Sequence, residues 1–150
     1  MAYWLTKTEP SVYSIDDLKK DKTTPWDEVR NYQARNNLRA MKKGDHIFIY
    51  HSNADPPGIA GIAKVVKEAY PDASQFDSRS RYFDEKATKE NPRWFSPDIQ
   101  FVKKFREPLP LHEIKSDKKL ANMVLVQRGS RLSVQPVSKA EFEYILELLG

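Results

Sequence analysis

Residues 26 to 41 read WDEVRNYQARNNLRAM, and the side chains there that can do chemistry are planar: one Trp, one Tyr, three Arg, three Asn and one Gln. Asn is a poor residue for a helix interior because its amide competes for the backbone's own hydrogen bonds, so Asn36 and Asn37 in succession cost local stability. Wound as a helix from Tyr32 to Met41 at about 100° per residue, the stretch puts Ala34, Leu38 and Met41 on one stripe. Tyr32, Arg35, Asn36 and Arg39 then fall on the other side. A solvated face with Asn31 as N-cap is one reading. Solvated faces are normally built from Lys and Glu, however, whereas Asn, Arg and Tyr present flat hydrogen-bonding and stacking groups. Flat groups suit flat ligands: a nucleobase needs a ring or guanidinium to stack on and amide edges to pair with, and its phosphate needs a cation. Trp26, Tyr32, Tyr82 and Trp94 can supply planes, and Asn31 and Asn36 can supply edges. For each ring alone, burial in the core is the competing role.

Two further stretches carry polar groups in suggestive positions. YHSN closes an apolar run, but His51 and Ser52 are neighbours and would point to opposite faces of a strand, which does not make a nucleophile and base. No G-x-S-x-G elbow surrounds Ser52, and His46 and His112 offer no repeated ligand spacing, so neither a hydrolytic triad nor a metal site is expected. A hydrogen-bonding role at a pocket rim stands against a satisfied pair at a strand end. In QRGSRLS, Gly129 and Ser130 permit a turn with outward N–H groups beside Arg128 and Arg131, which suits a phosphate; a ligand-free hairpin turn is the alternative. GIAG has the spacing of neither a phosphate-binding loop nor a dinucleotide fingerprint, so no nucleotide cofactor is expected.

The elements that must position these groups are readable in outline. AYWLTK suits a first strand closed by TEP. Ser14 and Asp17 form a capping box for a short helix, and DKTTPW reads as a turn before the planar stretch. Ile47 to Tyr50 is apolar on both faces and belongs in the middle of a sheet. GIAGIAKVVKEAY reads as its hairpin partner, with Gly58 and Gly61 marking close backbone approach or a bulge. Residues 71 to 97 form a long excursion with one short helical turn. DIQFVKKFREPL returns to strand, with Ile99, Phe101 and Val102 turned inward and Pro108 as its end. PLHEIKSD reads as a short helix behind Pro110. MVLVQRGSRLSVQPV suggests two short strands joined through RGSR, and Ser138 with Glu141 caps a final amphipathic helix. This order predicts an α+β fold, a curled and mostly antiparallel β-sheet with helices against it.

The chain has 150 residues, a length that suits one domain spanning 1–150 with a real core. It is 39% hydrophobic and 31% charged, which excludes a disordered chain. Lys and Arg number 25 against 21 Asp and Glu, giving a net charge of +4 that mildly favours anionic partners. Arg30, Arg35, Arg39, Lys42 and Lys43 concentrate that charge near the planar stretch. With no cysteine there is no disulfide, thiol nucleophile or Cys-ligated zinc. No leader and no run of membrane-spanning length is visible, so a cytoplasmic monomer without membrane attachment is the expectation.

Taken in order, YWLTKTEP, YSIDDL, WDEVRNYQARNNLRAMKKGD, YHSN, GIAGIAKV, YPD and RLSVQPV resemble the EVE domain family over nearly the whole chain. The resemblance implies a fold similar to the PUA and YTH domains, a compact pseudobarrel with flanking helices. It implies a non-catalytic module that recognises a modified base, a modified cytosine in DNA or a modified base in RNA, with no cofactor and no metal. It also suggests a bacterial stand-alone type. At matching positions the implied pocket draws on Trp26, Asn31, Tyr32, Arg35 and Asn36, on His51 and Ser52, and on Ser130, Arg131 and Ser133; Tyr82 and Trp94 lie where the family pattern is looser. Two other functions stay open: an enzyme acting on a modified base or nucleotide with His51 as general base, and a module that docks an acidic protein.

Overall fold

The computed structural model describes residues 1–149. Its centre is one six-stranded sheet in the order β2, β5, β4, β3, β1, β6, formed by β1 (Tyr3–Thr8), β2 (Thr23–Pro25), β3 (His46–His51), β4 (Gly58–Pro71), β5 (Phe95–Pro110) and β6 (Val134–Val137). β1 and β3 run parallel, while the other four neighbouring pairs are antiparallel. Helices α1 (Ile15–Asp21), α2 (Tyr32–Ala40), α3 (Leu111–Ser116) and α4 (Lys139–Leu149) flank the sheet. This is the expected α+β class, a curled and mostly antiparallel pseudobarrel-like sheet.

Alternation along β3 explains the layering. Ile47 and Ile49 point to one face, where they meet Leu18 of α1 and Ala34 and Leu38 of α2; Phe48 and Tyr50 point to the other, where they meet Phe142 and Ile145 of α4. A strand covered on both faces must be apolar on both, and β3 lies inside the sheet accordingly. The Ala34, Leu38 and Met41 stripe of α2 is buried as its spacing requires. Both capping boxes form: Ser14 with Asp17 at α1, and Ser138 with Glu141 at α4.

Gly58 and Gly61 stand at close approaches between β4 and β5. A Cβ at Gly61 would lie 2.5 Å from the Lys103 carbonyl oxygen and 2.6 Å from Ile15 Cδ1, so only hydrogen fits there.

Four expectations need correction. DKTTPW is not merely a turn, because Thr23–Pro25 pairs with β5 as a short edge strand. β5 continues past Pro108 to Pro110; among the described residues β4 is its only neighbour there, so the missing N–H of Pro108 breaks no ladder on the open side. Val102 is exposed at 42%, because Phe101 pairs with Ala63 and Lys103 with Ile62, leaving Val102 as the extra residue of a bulge. Only one of the two strands expected in MVLVQRGSRLSVQPV exists: Val124–Val126 is a 3-10 turn that buries Leu125.

Candidate nucleic-acid interface

A cleft of about 440 Å³ opens where four chain segments meet. One wall is the end of β1 and the turn after it, Lys7 to Tyr13. The second is the segment from Thr24 to Asn31, and Tyr82 and Ser133 complete the lining. The first wall is held by Thr8, whose hydroxyl donates to the Tyr13 carbonyl at 2.7 Å, and by N–H groups of Val12 and Tyr13, both bonded to the Glu9 carbonyl at 2.9 Å. The second is pinned where Trp26 N–H meets the Pro97 carbonyl at 2.8 Å and Glu28 N–H meets the Asp72 carboxylate at 2.7 Å. Trp26 is half-buried and meets Tyr13 edge to face, with centroids 6.2 Å apart. Three aromatic side chains, Tyr13, Trp26 and Tyr82, thus line one concavity.

Behind the cleft stands a column of rings and guanidinium groups. The Arg30 guanidinium lies 5.6 Å from the Tyr82 ring and 5.3 Å from the Trp94 ring. Trp94 stacks on Tyr32 at 5.0 Å, and Arg35 lies beside both rings, 4.9 Å from that of Tyr32 and 5.9 Å from that of Trp94. Arg93 also lies against Tyr32 and bonds its hydroxyl. Each such contact contributes about 0.5 to 2 kcal/mol, more where water is excluded. The column fixes Tyr82, which belongs to the long excursion, against the start of α2.

Arg30 is the knot of this arrangement. Its guanidinium donates to Asp72 at 3.1 Å, to the Ser74 hydroxyl at 2.9 Å, to the Val29 carbonyl at 3.0 Å and twice to the Tyr82 carbonyl. Burial disfavours the charge of Asp72, but hydrogen bonds from Ser74, the Glu28 N–H and Arg30 outweigh it and hold the carboxyl below its ordinary range. Asp84 is likewise held low, first by the Trp94 indole N–H at 2.8 Å. Asp27 moves the other way: burial, then the charges of Asp72 and Glu28, push it up to about 6. Asp27 lines the cleft while its residue surface stays open to water, so solvent screens part of that opposition to its charge.

The residues singled out from the sequence fall into three groups. Trp26, Asn31, Tyr82 and Ser133 line the cleft. Asn31 also caps α2, accepting from Ala34 N–H at 2.9 Å. Tyr32, Arg35, Asn36 and Trp94 stand outside the lining: Trp94 is buried within the column, Arg35 donates to the Arg93 carbonyl at 3.0 Å, and Asn36 accepts from Arg35 at 2.9 Å. Asn37 braces the fold, donating to the Val134 carbonyl at 2.7 Å. His51, Ser52, Ser130 and Arg131 do not line the cleft.

His51 has a structural task instead. Its Nε2 accepts the Ile15 N–H at 3.0 Å, satisfying one of the free donors at the start of α1, which puts the ring proton on Nδ1. Burial lowers its proton affinity, and Lys104 adds to this against an opposing pull from Asp16. A lone pair engaged in that bond is not available to take a proton, so the geometry speaks against His51 as a general base.

Arg30, Asp27 and Tyr13 are cleft-forming residues that sequence reasoning missed. Arg30 stands next to the Asn31 N-cap in a short loop between two elements, a place where a planar cation has partners on both sides. Nothing local marks Asp27 or Tyr13, since their roles depend on segments far apart in sequence.

The curled mixed sheet, with helices on both faces and an aromatic cleft between its loops, defines a small pocketed α+β domain. The chain belongs to the EVE domain family, whose model matches residues 2–148. Thymocyte nuclear protein 1 of Gallus gallus is 47% identical over 165 residues, covering 97% of this chain and 68% of its relative. Among solved structures, a protein from Pseudomonas syringae is 50% identical with a TM-score of 0.96, covering 99% of this chain and 100% of that one. Human THYN1 in complex with 5-methylcytosine containing DNA is 46% identical with a TM-score of 0.91, covering 99% of this chain and 97% of that one.

Proposed function

We propose that this protein is a non-catalytic reader of modified DNA that takes one modified cytosine into the cleft lined by Tyr13, Trp26 and Tyr82. The observation that carries the reading is the coincidence of this aromatic cleft with close similarity to a human relative solved with 5-methylcytosine containing DNA. A flipped base stacks on a ring with about 1 to 3 kcal/mol, and a volume of about 440 Å³ lies in the range of small-ligand sites. Arg39, Lys42 and Lys43, all exposed at the end of α2 and beyond it, supply cations for the flanking phosphates. Asn31 and Ser133 offer polar groups at the base edge. The family match over residues 2–148 and the single sheet support reading the chain as one recognition domain.

Titration of duplexes with and without one 5-methylcytosine, and of matching RNA strands, at low salt tests this. Tighter binding of the modified duplex, lost in Tyr82→Ala, is the expected result. Equal affinity for modified and unmodified DNA would refute it, and tighter binding of RNA would move the function to RNA.

A further inference from the structure

The aromatic cleft also contains a carboxyl group that no other side chain pairs among the described residues. Asp27 follows Trp26 directly and lines the same cavity. Among the described residues it makes no ion pair, and no other side chain donates to it. The nearby cation is already spent, because Arg30 directs its donors at Asp72, Ser74 and backbone carbonyls. Asp72 in turn is saturated by Arg30, the Glu28 N–H and the N–H and hydroxyl of Ser74. The backbone around Asp27 is fixed at Trp26 and at Glu28, and Glu28 adopts the left-handed region at φ 66°, a conformation a non-glycine residue holds only when its surroundings impose it. The backbone that carries Asp27 is therefore fixed at the cleft.

A negative charge there repels phosphate, so it has no place in a DNA-binding cleft unless it meets a donor. Of the donors found on pairing edges, the one a cytosine-type base carries is its exocyclic amino group, where thymine and uracil carry a carbonyl. Resting on the reading that the cleft takes up a base, we propose that Asp27 is its specificity-determining residue: the carboxylate accepts a hydrogen bond from the exocyclic amino group, selecting cytosine-type bases over thymine and uracil.

5-Methylcytosine and thymine carry the same methyl group and the same ring. They differ at C4, an amino donor against a carbonyl acceptor, and at N3, an acceptor against an N–H donor. A carboxylate accepts only, so a thymine O4 opposite Asp27 sets two acceptors face to face. An amide in the same position both donates and accepts, and can serve either base.

The test compares two duplexes identical except for 5-methylcytosine or thymine at one position, each opposite an abasic site so that no base pair must be opened. The native protein should favour 5-methylcytosine by about tenfold or more, the discrimination typical of one well-made edge contact. Asp27→Asn should bring the two affinities to within about threefold, chiefly by improving the thymine complex, because its amide fits both edges. Asp27→Glu keeps the carboxylate and should keep the preference at lower affinity. A side chain that only supported the loop would weaken both complexes equally and leave the ratio unchanged; that result in Asp27→Asn would overturn the proposal. Native protein that binds 5-methylcytosine tightly but does not distinguish thymine would overturn it too, while leaving the reader function standing. Binding of neither duplex would defeat both.

Discussion

Replacing Asp27 by Asn should make the protein more stable at neutral pH, because it removes a charge that the folded state holds at a cost. Burial, and then the charges of Asp72 and Glu28, raise the Asp27 pKa from 3.8 to about 6. Taken without screening, that displacement corresponds to about 3 kcal/mol of destabilisation once both states are ionised. The residue is open to solvent, so screening reduces the expected figure to about 1 kcal/mol. For a domain of this size, that is a rise of about 2 to 4 °C in melting temperature. The sign with pH follows from which state binds more protons. Between the unfolded value of 3.8 and the folded value of about 6 the native protein is the more protonated state, so the cost grows as pH rises through this window. It is complete above it and absent below. Urea melts of native and Asp27→Asn protein at about pH 7.5 and about pH 4 should therefore differ at the first pH and nearly coincide at the second. No stabilisation at neutral pH, or one that persists undiminished in acid, would refute the reasoning. A gain in stability together with lost base discrimination is the signature of a residue kept for its ligand.

Gly61→Ala should destabilise the protein by about 2 kcal/mol or more in chemical denaturation, because the new methyl group meets the Lys103 backbone carbonyl and Ile15 at once. Arg30→Lys should cost about 3 kcal/mol, since a point charge cannot serve Asp72, Ser74 and the Tyr82 carbonyl together and leaves a buried carboxylate underpaired; it should also weaken DNA binding by releasing Tyr82. His51 has a lowered pKa in the folded state, so its contribution is complete above its unfolded pKa of about 6.5 and is lost as pH falls below that value. His51→Gln removes this titration, and the stability of the variant should fall less than that of the native protein between about pH 7 and pH 5 in urea melts.

Features written in a few neighbouring residues were legible in the sequence. The Asn31 cap of α2, the buried stripe of Ala34, Leu38 and Met41, the two capping boxes and the two-faced strand β3 each follow from spacing alone. Asn37, bonded to Val134, braces the fold as its place nearer the apolar stripe suggests, whereas Asn36, expected at the site, stands beside Arg35 outside the cleft lining. What was not legible depends on chain returning from far away. Thr23–Pro25 is a strand because β5 lies beside it, and Val102 faces water because of a bulge set by pairing with β4. Tyr32 and Trp94 are rungs of one column rather than walls of the cleft, since residue 94 comes back over the start of α2. His51 reads as a hydrogen-bonding group at a pocket rim until Ile15 is seen to use its lone pair. Asp27 drew no attention because a charged residue in a loop is ordinary until its neighbours prove to be already paired.

The three tryptophans give the most direct test of the central claim, that a modified base enters the cleft beside Trp26. The Trp4 indole N–H is tied to Asp45 and that of Trp94 to Asp84, both in buried rings, whereas Trp26 lines the cleft. In an NMR titration that resolves the three indole N–H signals, a duplex with one 5-methylcytosine should shift the Trp26 signal strongly and leave Trp4 in place. The unmodified duplex at the same concentration should move Trp26 far less. A Trp26 signal that stays fixed while the modified duplex saturates the protein, or that moves equally with both duplexes, would contradict the account.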